Sequence, residues 1–435
     1  MNHKVRLSQC MIVKNEEKNI ERALSWGKDI MWEQIVVDTG STDRTVEIAE
    51  KMGAKIFHFK WIDDFSAAKN YAIEQAKGNW IAFLDADEYL NEKDTQKIYA
   101  IISEIERVNP ELKPHILRTA LVDLKEDKSV NGITVQDRFF RNLPEVRYQN
   151  SIHEFVAIKE GRLIVCNLTE EISVFHTGYT KAVYEDTKKI DRNIEMLKKN
   201  LDENPEDLNT AAYLAESLKS GNKTEEAEVI YRRVILNRDS SMHLARLTNA
   251  FYGLMHIITL REDLEEEEEL KQLYEEAIKC NAAFPDYDYL MGVWYFRKGH
   301  FIKAIEYLEN SLNKLEVYQD VNTTYVPTVL PDIYTAICRA SIEIGDPSKS
   351  VRYCILALRL NRYTDVILNT LLDELHKNGE KARDCYDLLA KIYDFTTLKD
   401  KLYVIKAAKL VAFEELDIWI NNQITEEERR ILQKK

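Results

Sequence analysis

The chain has 435 residues, a length that suggests two or three domains. Hydrophobic residues make up 45% and charged residues 31%, with only 13 Gly and 8 Pro, an ordinary globular composition shifted toward helix that leaves disorder to the ends. A formal net charge of −14 argues against nonspecific binding to nucleic acid, which needs Lys and Arg to displace phosphate counterions, and it offers no polybasic handle for an anionic membrane.

No apolar run approaches the ~18 residues needed to span a bilayer. Polar Met1 to Ser8 leads straight into a strand with no signal-peptide core, so a cytoplasmic protein is expected. The six cysteines, Cys10, Cys166, Cys280, Cys338, Cys354 and Cys385, form no C-x-x-C pair and read as free thiols of a reducing compartment.

The first third alternates short apolar runs with helical patterns. Leu7 to Val13 reads as a strand, Glu16 to Trp26 as a helix, and Gln34 to Asp38 as a strand that ends on a carboxylate. Thr39 to Asp43 follows as a turn, with Ser41 or Thr42 as candidate cap of a helix reaching about Met52. Lys55 to Phe59 is a third strand, Phe65 to Ala76 a helix, Trp80 to Asp85 a fourth strand, and Asp94 to Arg107 a helix. This spacing predicts an α/β domain with a mixed, mostly parallel sheet covered on both faces. Ligands of such sheets bind beyond the C-terminal strand ends, so Asp38 and Asp85 share one edge.

Between His115 and His176 the runs Ile116–Asp123, Val135–Arg141 and Ile152–Ile158 look like further strands that complete this domain. After about Val183 the chain turns helical. Leu214, Ala215, Leu218, Ala227 and Tyr231 set a small/large order that recurs at Met291, Gly292, Tyr295, Ala304 and Leu308, and again at Ile337, Cys338, Ser341, Ser350 and Cys354. That is the packing order of tetratricopeptide repeats. The acidic run Glu262–Glu269 reads as a solvated helix or loop rather than a metal site. The expected division is a catalytic domain over 1–182, an all-α repeat domain over 183–395, and a helical cap or oligomer contact, possible in a homodimer, over 396–435.

Asp85 and Asp87 carry the chemistry. Alternate residues of an extended segment point the same way, so both carboxylates can face one divalent ion. Mg²⁺ or Mn²⁺ suits such oxygen ligands, with phosphate oxygens completing the shell. The plain alternative is a helix cap and a solvated turn. Asp38 can accept hydrogen bonds from a nucleoside or serve as a turn residue.

These carboxylates sit among motifs that occur in order: Met11-Ile-Val-Lys-Asn-Glu-Glu17, Val37-Asp-Thr-Gly-Ser-Thr-Asp43, Asp64-Phe-Ser-Ala-Ala-Lys-Asn70, Phe83-Leu-Asp-Ala-Asp-Glu88, Ile152-His-Glu154 and Phe175-His-Thr-Gly-Tyr179. Across roughly residues 5–180 the chain resembles the family 2 glycosyltransferases with a GT-A fold. The resemblance implies a nucleotide-diphosphate sugar as donor, here a UDP-sugar. Val13 to Glu16 would wall the base and Asp38 would contact the nucleoside. Lys69 and Asn70 would lie near the diphosphate, although the family usually carries Arg-Asn there and Lys69 lacks the bidentate fork. Asp87, Asp85 and His176 would hold the metal, Asp85 sharing its load with the ribose, with Tyr179 behind His176. Inversion needs a base on the acceptor side; Glu154 is the first choice and His153 the second, or the residue that orients the acceptor.

The acceptor is less legible. Helical repeats build concave surfaces for peptides and proteins, and the combination resembles the bacteriocin peptide glycosyltransferases, which modify Cys or Ser of a secreted antimicrobial peptide. A Ser, Thr or Cys side chain of a peptide is therefore the expected acceptor. A cell-surface polysaccharide or lipid-linked glycan is the enzymatic alternative, and a non-catalytic repeat scaffold is the alternative from another class.

Overall fold

Leu7–Val13 (β1) has almost no polar face, which requires cover on both sides and neighbours on both edges. The computed structural model describes residues 5–108, 112–177, 187–240, 242–261, 266–318 and 324–432. It divides into two compact units, 1–206 and 207–435.

In the first unit β1 lies between two parallel neighbours, Met31–Asp38 (β2) and Trp80–Phe83 (β4). Lys55–His58 (β3) extends the parallel set beyond β2. The other flank is antiparallel where β4 meets Val130–Arg141 (β7), which forms a hairpin with Ile116–Leu124 (β6). Glu88–Tyr89 (β5) and Ser173–His176 (β11) close that side, β11 running parallel to β6 and β5 antiparallel to β11. Val165–Asn167 (β10) also pairs with β6. The strand order is β3-β2-β1-β4-β7-β6-β11-β5, so the α/β expectation of a mixed, mostly parallel sheet holds.

Alternation along β4 builds the two faces. Trp80 and Ala82 join Ile98 and Ile102 of the helix Glu92–Ile105, while Ile81 and Phe83 join Ala72 and Ile73 of the helix Phe65–Gln75. Asp64 caps the latter by accepting from Ala67 N at 2.8 Å. The helix Thr45–Lys51 is not capped by Ser41 or Thr42. The N-cap position is Arg44; one residue before it, Asp43 Oδ1 accepts from Thr45 N at 3.0 Å, while Ser41 and Thr42 are engaged with Asn15 across the turn.

Of the run 152–158, only Phe155–Ile158 (β9) is strand; it pairs with Val146–Gln149 (β8) in a separate two-stranded sheet. The helix Thr187–Glu203 belongs to the first unit, so the division falls at Glu206 rather than near Val183. One tie explains this: Asn200 Nδ2 donates to Ser151 Oγ at 2.7 Å.

Within the second unit every described element is helical, and the repeat residues are buried as their order demands. Leu214, Ala215, Leu218, Ala227 and Tyr231 are in the core, as are Met291, Tyr295, Ala304 and Leu308, and Ile337, Cys338, Ser341, Ser350 and Cys354. Gly292 is where two helices touch: a Cβ there would lie 2.6 Å from Leu308 Cγ. The second part of the acidic run opens the helix Glu267–Cys280 and is ion-paired, Glu267 with Lys271 and Lys298 and Glu269 with Arg232. Val404, Phe413, Leu416 and Ile420 share one core cluster with Ile337 and Leu371, so residues after 396 continue the array. Among the described residues no helix is long and apolar enough to cross a membrane, and all six cysteines are free.

Candidate active site

The loops that follow the parallel strands meet at one edge of the first unit. After β1 the chain turns at Asn15 (φ +59°), whose Oδ1 accepts from Thr42 N at 2.7 Å. Val13 and Glu16 flank this turn; Val13 O accepts from Thr39 Oγ1 at 3.0 Å, and Glu16 N donates to Thr45 Oγ1 at 2.7 Å. Asp38, buried at the end of β2, accepts from Ser41 N at 3.0 Å and Gly40 N at 3.2 Å. Its carboxylate therefore shapes the turn, the plainer of the two roles expected for it, with His58 Nδ1 3.5 Å away on the outer side.

Beyond β4 the chain leaves the sheet at Asp85. Burial alone would drive charges out of this place, yet Lys69 and Arg138 are both buried here. Lys69 Nζ lies 3.4 Å from Asp85 Oδ1 and 2.7 Å from Glu154 Oε1. Arg138 lies 2.9 Å from Asp85 Oδ2 and also pairs with buried Glu88. Glu88 Oε2 in turn accepts from Asp85 N at 3.0 Å. Desolvation would raise the Asp85 pKa, but the two cations outweigh it and hold the carboxylate well below its ordinary range. Lys69 is the mirror case: burial pushes its ammonium down, and Asp85 and Glu154 hold it up. For Glu88, burial wins over Arg138 and the pKa is raised.

Asp87 faces the other way, toward His176. The sheet register puts His176 of β11 opposite both Glu88 of β5 and Asp123 of β6. His176 Nε2 lies 3.1 Å from Asp87 Oδ2, and Nδ1 lies 2.7 Å from Asp123 Oδ1. Burial would lower the His176 pKa, but hydrogen bonds to Asp123 and Asp87 push it up to about 10.

This arrangement fits a divalent cation. A carboxylate behind an imidazole fixes the ring for ligation through its other nitrogen, and Asp123 stands there. Among the described residues no three side chains already form a metal cage; Asp87 and His176 could supply two ligands, and a magnesium-like ion at a phosphate site takes few protein ligands and completes its shell from phosphates and water. Asp85 differs from its expected place as a ligand, since both its oxygens already face cations.

Asn70, expected near the diphosphate, has its amide engaged with the backbone of Tyr148. Its Nδ2 donates to Tyr148 O and its Oδ1 accepts from Tyr148 N, each at 2.9 Å, so it clamps β8 to the helix. His153 and Glu154 end the loop between β8 and β9, where Asn150 (φ +71°) and His153 (φ +53°) take left-handed conformations. Phe65 N donates to Ser151 O at 2.8 Å, so the helix that carries Lys69 also holds this loop. Such unfavourable backbone angles persist where the surroundings over-determine them. Tyr179 lies outside the described residues. Sequence reasoning missed Arg138 and Asp123. Their strands read as strands, but only the pairing of β7 with β4 and of β6 with β11 brings them to the site.

Comparison with known proteins agrees with this geometry. Residues 8–117 match the family model described as Glycosyl transferase family 2. Over 153 residues the chain is 39% identical to a TPR repeat-containing protein of Synechococcus elongatus, covering 35% of each chain. Over 231 residues it is 29% identical to the SPbeta prophage-derived glycosyltransferase SunS of Bacillus subtilis, covering 52% of each. The match thus spans from about a third to about half of the length of these curated relatives. The crystal structure of S. aureus TarS 1-349 in complex with UDP aligns at TM-score 0.31 and 16% identity, over 68% of this chain and 92% of that one. The likeness to family 2 glycosyltransferases thus lies in the first unit, over residues 8–117, and an all-helical unit follows it.

Proposed function

We propose that the protein is an inverting, metal-dependent glycosyltransferase that moves a sugar from a UDP-sugar to a Ser, Thr or Cys side chain of a peptide. The observation that carries this reading is the paired arrangement at the sheet edge: Asp87 with His176 and Asp123 on one side, Asp85 with Lys69 and Glu154 on the other. One half suits a cation and the other an acceptor base, about one reacting centre.

Asp87 and His176 would hold a Mg²⁺ or Mn²⁺ ion, which when bound neutralises the departing diphosphate. Lys69 adds fixed positive charge to the same edge. Val13, Glu16 and Asp38 line the end where a nucleoside base and ribose fit. Glu154 takes the proton of the acceptor hydroxyl or thiol, the task of a carboxylate within reach of the nucleophile, and Lys69 orients it through their 2.7 Å contact. A nearby carboxylate also favours the oxocarbenium-like charge of the transferring sugar. His153 orients the acceptor from the same loop.

A peptide acceptor goes with the second unit, since stacked repeats present extended surfaces suited to polypeptides. A cytoplasmic location goes with six free thiols.

The test is release of UDP from UDP-sugars with added Mn²⁺ or Mg²⁺. Asp87→Ala should lower turnover roughly 100-fold or more, the scale of losing one electrostatic stabiliser at a reacting centre, with the circular dichroism spectrum unchanged. Full activity of that variant, or of the native protein in excess chelator, would sink the metal role.

A further inference from the structure

We infer that Arg138 is a positioning residue of this site: it ties Asp85 to Glu88 and, with Lys69, cancels the charge of Asp85, so that Asp87, paired with His176, is the aspartate of the turn left to face a cation. This rests on the reading above of Asp87 and His176.

Three observations support it. First, Arg138 sits on β7 beside the last residues of β4; Phe139, its neighbour, pairs with Ala82. The antiparallel pairing is fixed by the buried Phe139 and Phe140, so the Arg138 side chain is delivered to the chain just as it leaves the sheet for Asp85. Second, the guanidinium contacts Asp85 Oδ2 at 2.9 Å and Glu88, while Glu88 returns to Asp85 N at 3.0 Å. Guanidinium, Asp85 and Glu88 thus close a ring that spans the Asp85–Glu88 turn and sets where Asp87 points. Third, the two acidic residues of the turn have opposite surroundings. Asp85 has a cation at each oxygen, Lys69 at 3.4 Å and Arg138 at 2.9 Å. Among the described residues the ion pair of Asp87 is with His176, at 3.1 Å. A lysine at position 138 would keep the charge but not the fork that reaches two carboxylates at once.

Two variants separate positioning from packing, with Mn²⁺ alone as the probe and no nucleotide present. Arg138→Met removes one positive charge beside two carboxylates. The variant should bind Mn²⁺ at least about tenfold more tightly than the native protein, since removing a unit charge near a divalent ion at an effective dielectric of ~20 is worth more than ~1.4 kcal/mol. Its kcat for UDP release should nevertheless fall, because Asp85 and Glu88 are no longer tied across the turn. A folded Arg138→Met protein with unchanged or weaker Mn²⁺ binding overturns the inference. Arg138→Lys carries the test if the first variant does not fold. It should bind Mn²⁺ as the native protein does while its KM for the UDP-sugar rises severalfold; a native KM overturns the inference. If the native protein releases no UDP from any UDP-sugar, the glycosyltransferase reading fails, while the Mn²⁺ comparison still judges Arg138.

Discussion

At the edge of the sheet the first unit buries Lys69, Arg138 and Glu88 together with partly covered Asp85, whereas the repeats of the second unit bury the small residues Ala227, Gly253, Gly292, Ser341 and Cys338. In the first unit the contacts are between full charges that must be desolvated, so each is worth keeping only while its partners are present. In the second they are between small uncharged groups whose value lies in letting helices approach. One arrangement holds a reactive constellation at some cost to stability; the other gains stability from close packing. Substitutions should therefore fail for different reasons in the two units.

The largest effect is expected at Lys69. Lys69→Met leaves Asp85 and Glu154 without their shared cation, and breaking a buried ion pair from one side costs about 3 kcal/mol or more. Urea unfolding of the first unit should record that loss together with loss of UDP release. Unchanged stability would mean that the cluster relaxes into solvent, and the contrast between the units would weaken. Next comes Gly253. A Cβ there would stand 2.4 Å from Tyr231 Cζ, and Tyr231 is itself buried. Gly253→Val should destabilise the second unit by about 1–3 kcal/mol, the ordinary range for overpacking. UDP release should survive at temperatures where that unit stays folded.

The same contrast explains what could be read from the sequence. The repeat half was legible at the level of single residues, because its spacing is local: Ala215 and Ala227 are buried on successive helices, and Gly292 meets Leu308 within one helix pair. In the first unit Asp85, Asp87, Lys69, Glu154 and His176 were legible because they lie in short ordered motifs. Arg138 and Asp123 were not. Each sits in a strand where its polar character reads as one more outward position, and it reaches the site only through non-local pairing. Asn70 shows another limit: its motif pointed to the diphosphate, and nothing near it in sequence announced that its amide also holds the backbone of Tyr148, in a strand 78 residues away.

A smaller effect, roughly a few degrees in Tm, should separate the two units by pH. His176 has its folded pKa raised from 6.5 to about 10. The stability it contributes is therefore complete below pH 6.5 and is lost as pH rises toward 10. Lys219 in the second unit is the reverse: burial, only partly offset by Glu216, lowers its folded pKa from 10.5 to about 8. It penalises the folded state below pH 8, and that penalty fades between about 8 and 10.5. The Tm difference between native protein and His176→Gln should shrink with rising pH, and that between native protein and Lys219→Met should move in the native protein's favour. Parallel slopes for the two variants would refute the assigned environments.

The smallest effect is expected at Glu267, the most highly paired of the described acidic-run residues. It contacts Lys271 at 2.9 Å and Lys298 at 3.0 Å, and these pairs hold its pKa down at about 2. All three side chains keep contact with water, however, with 27% of Glu267, 39% of Lys271 and 20% of Lys298 exposed. Exposed pairs of this kind are worth about 0–1 kcal/mol, because water and salt screen them and two long side chains must be ordered. Glu267→Gln should accordingly shift the unfolding midpoint of the second unit by less than 1 kcal/mol and leave UDP release untouched, and the small shift should vanish in high salt. A cost comparable to that of Lys69→Met would mean that this water-exposed pair behaves like the buried one at the sheet edge, and the contrast between the charged edge and the repeat contacts would no longer stand.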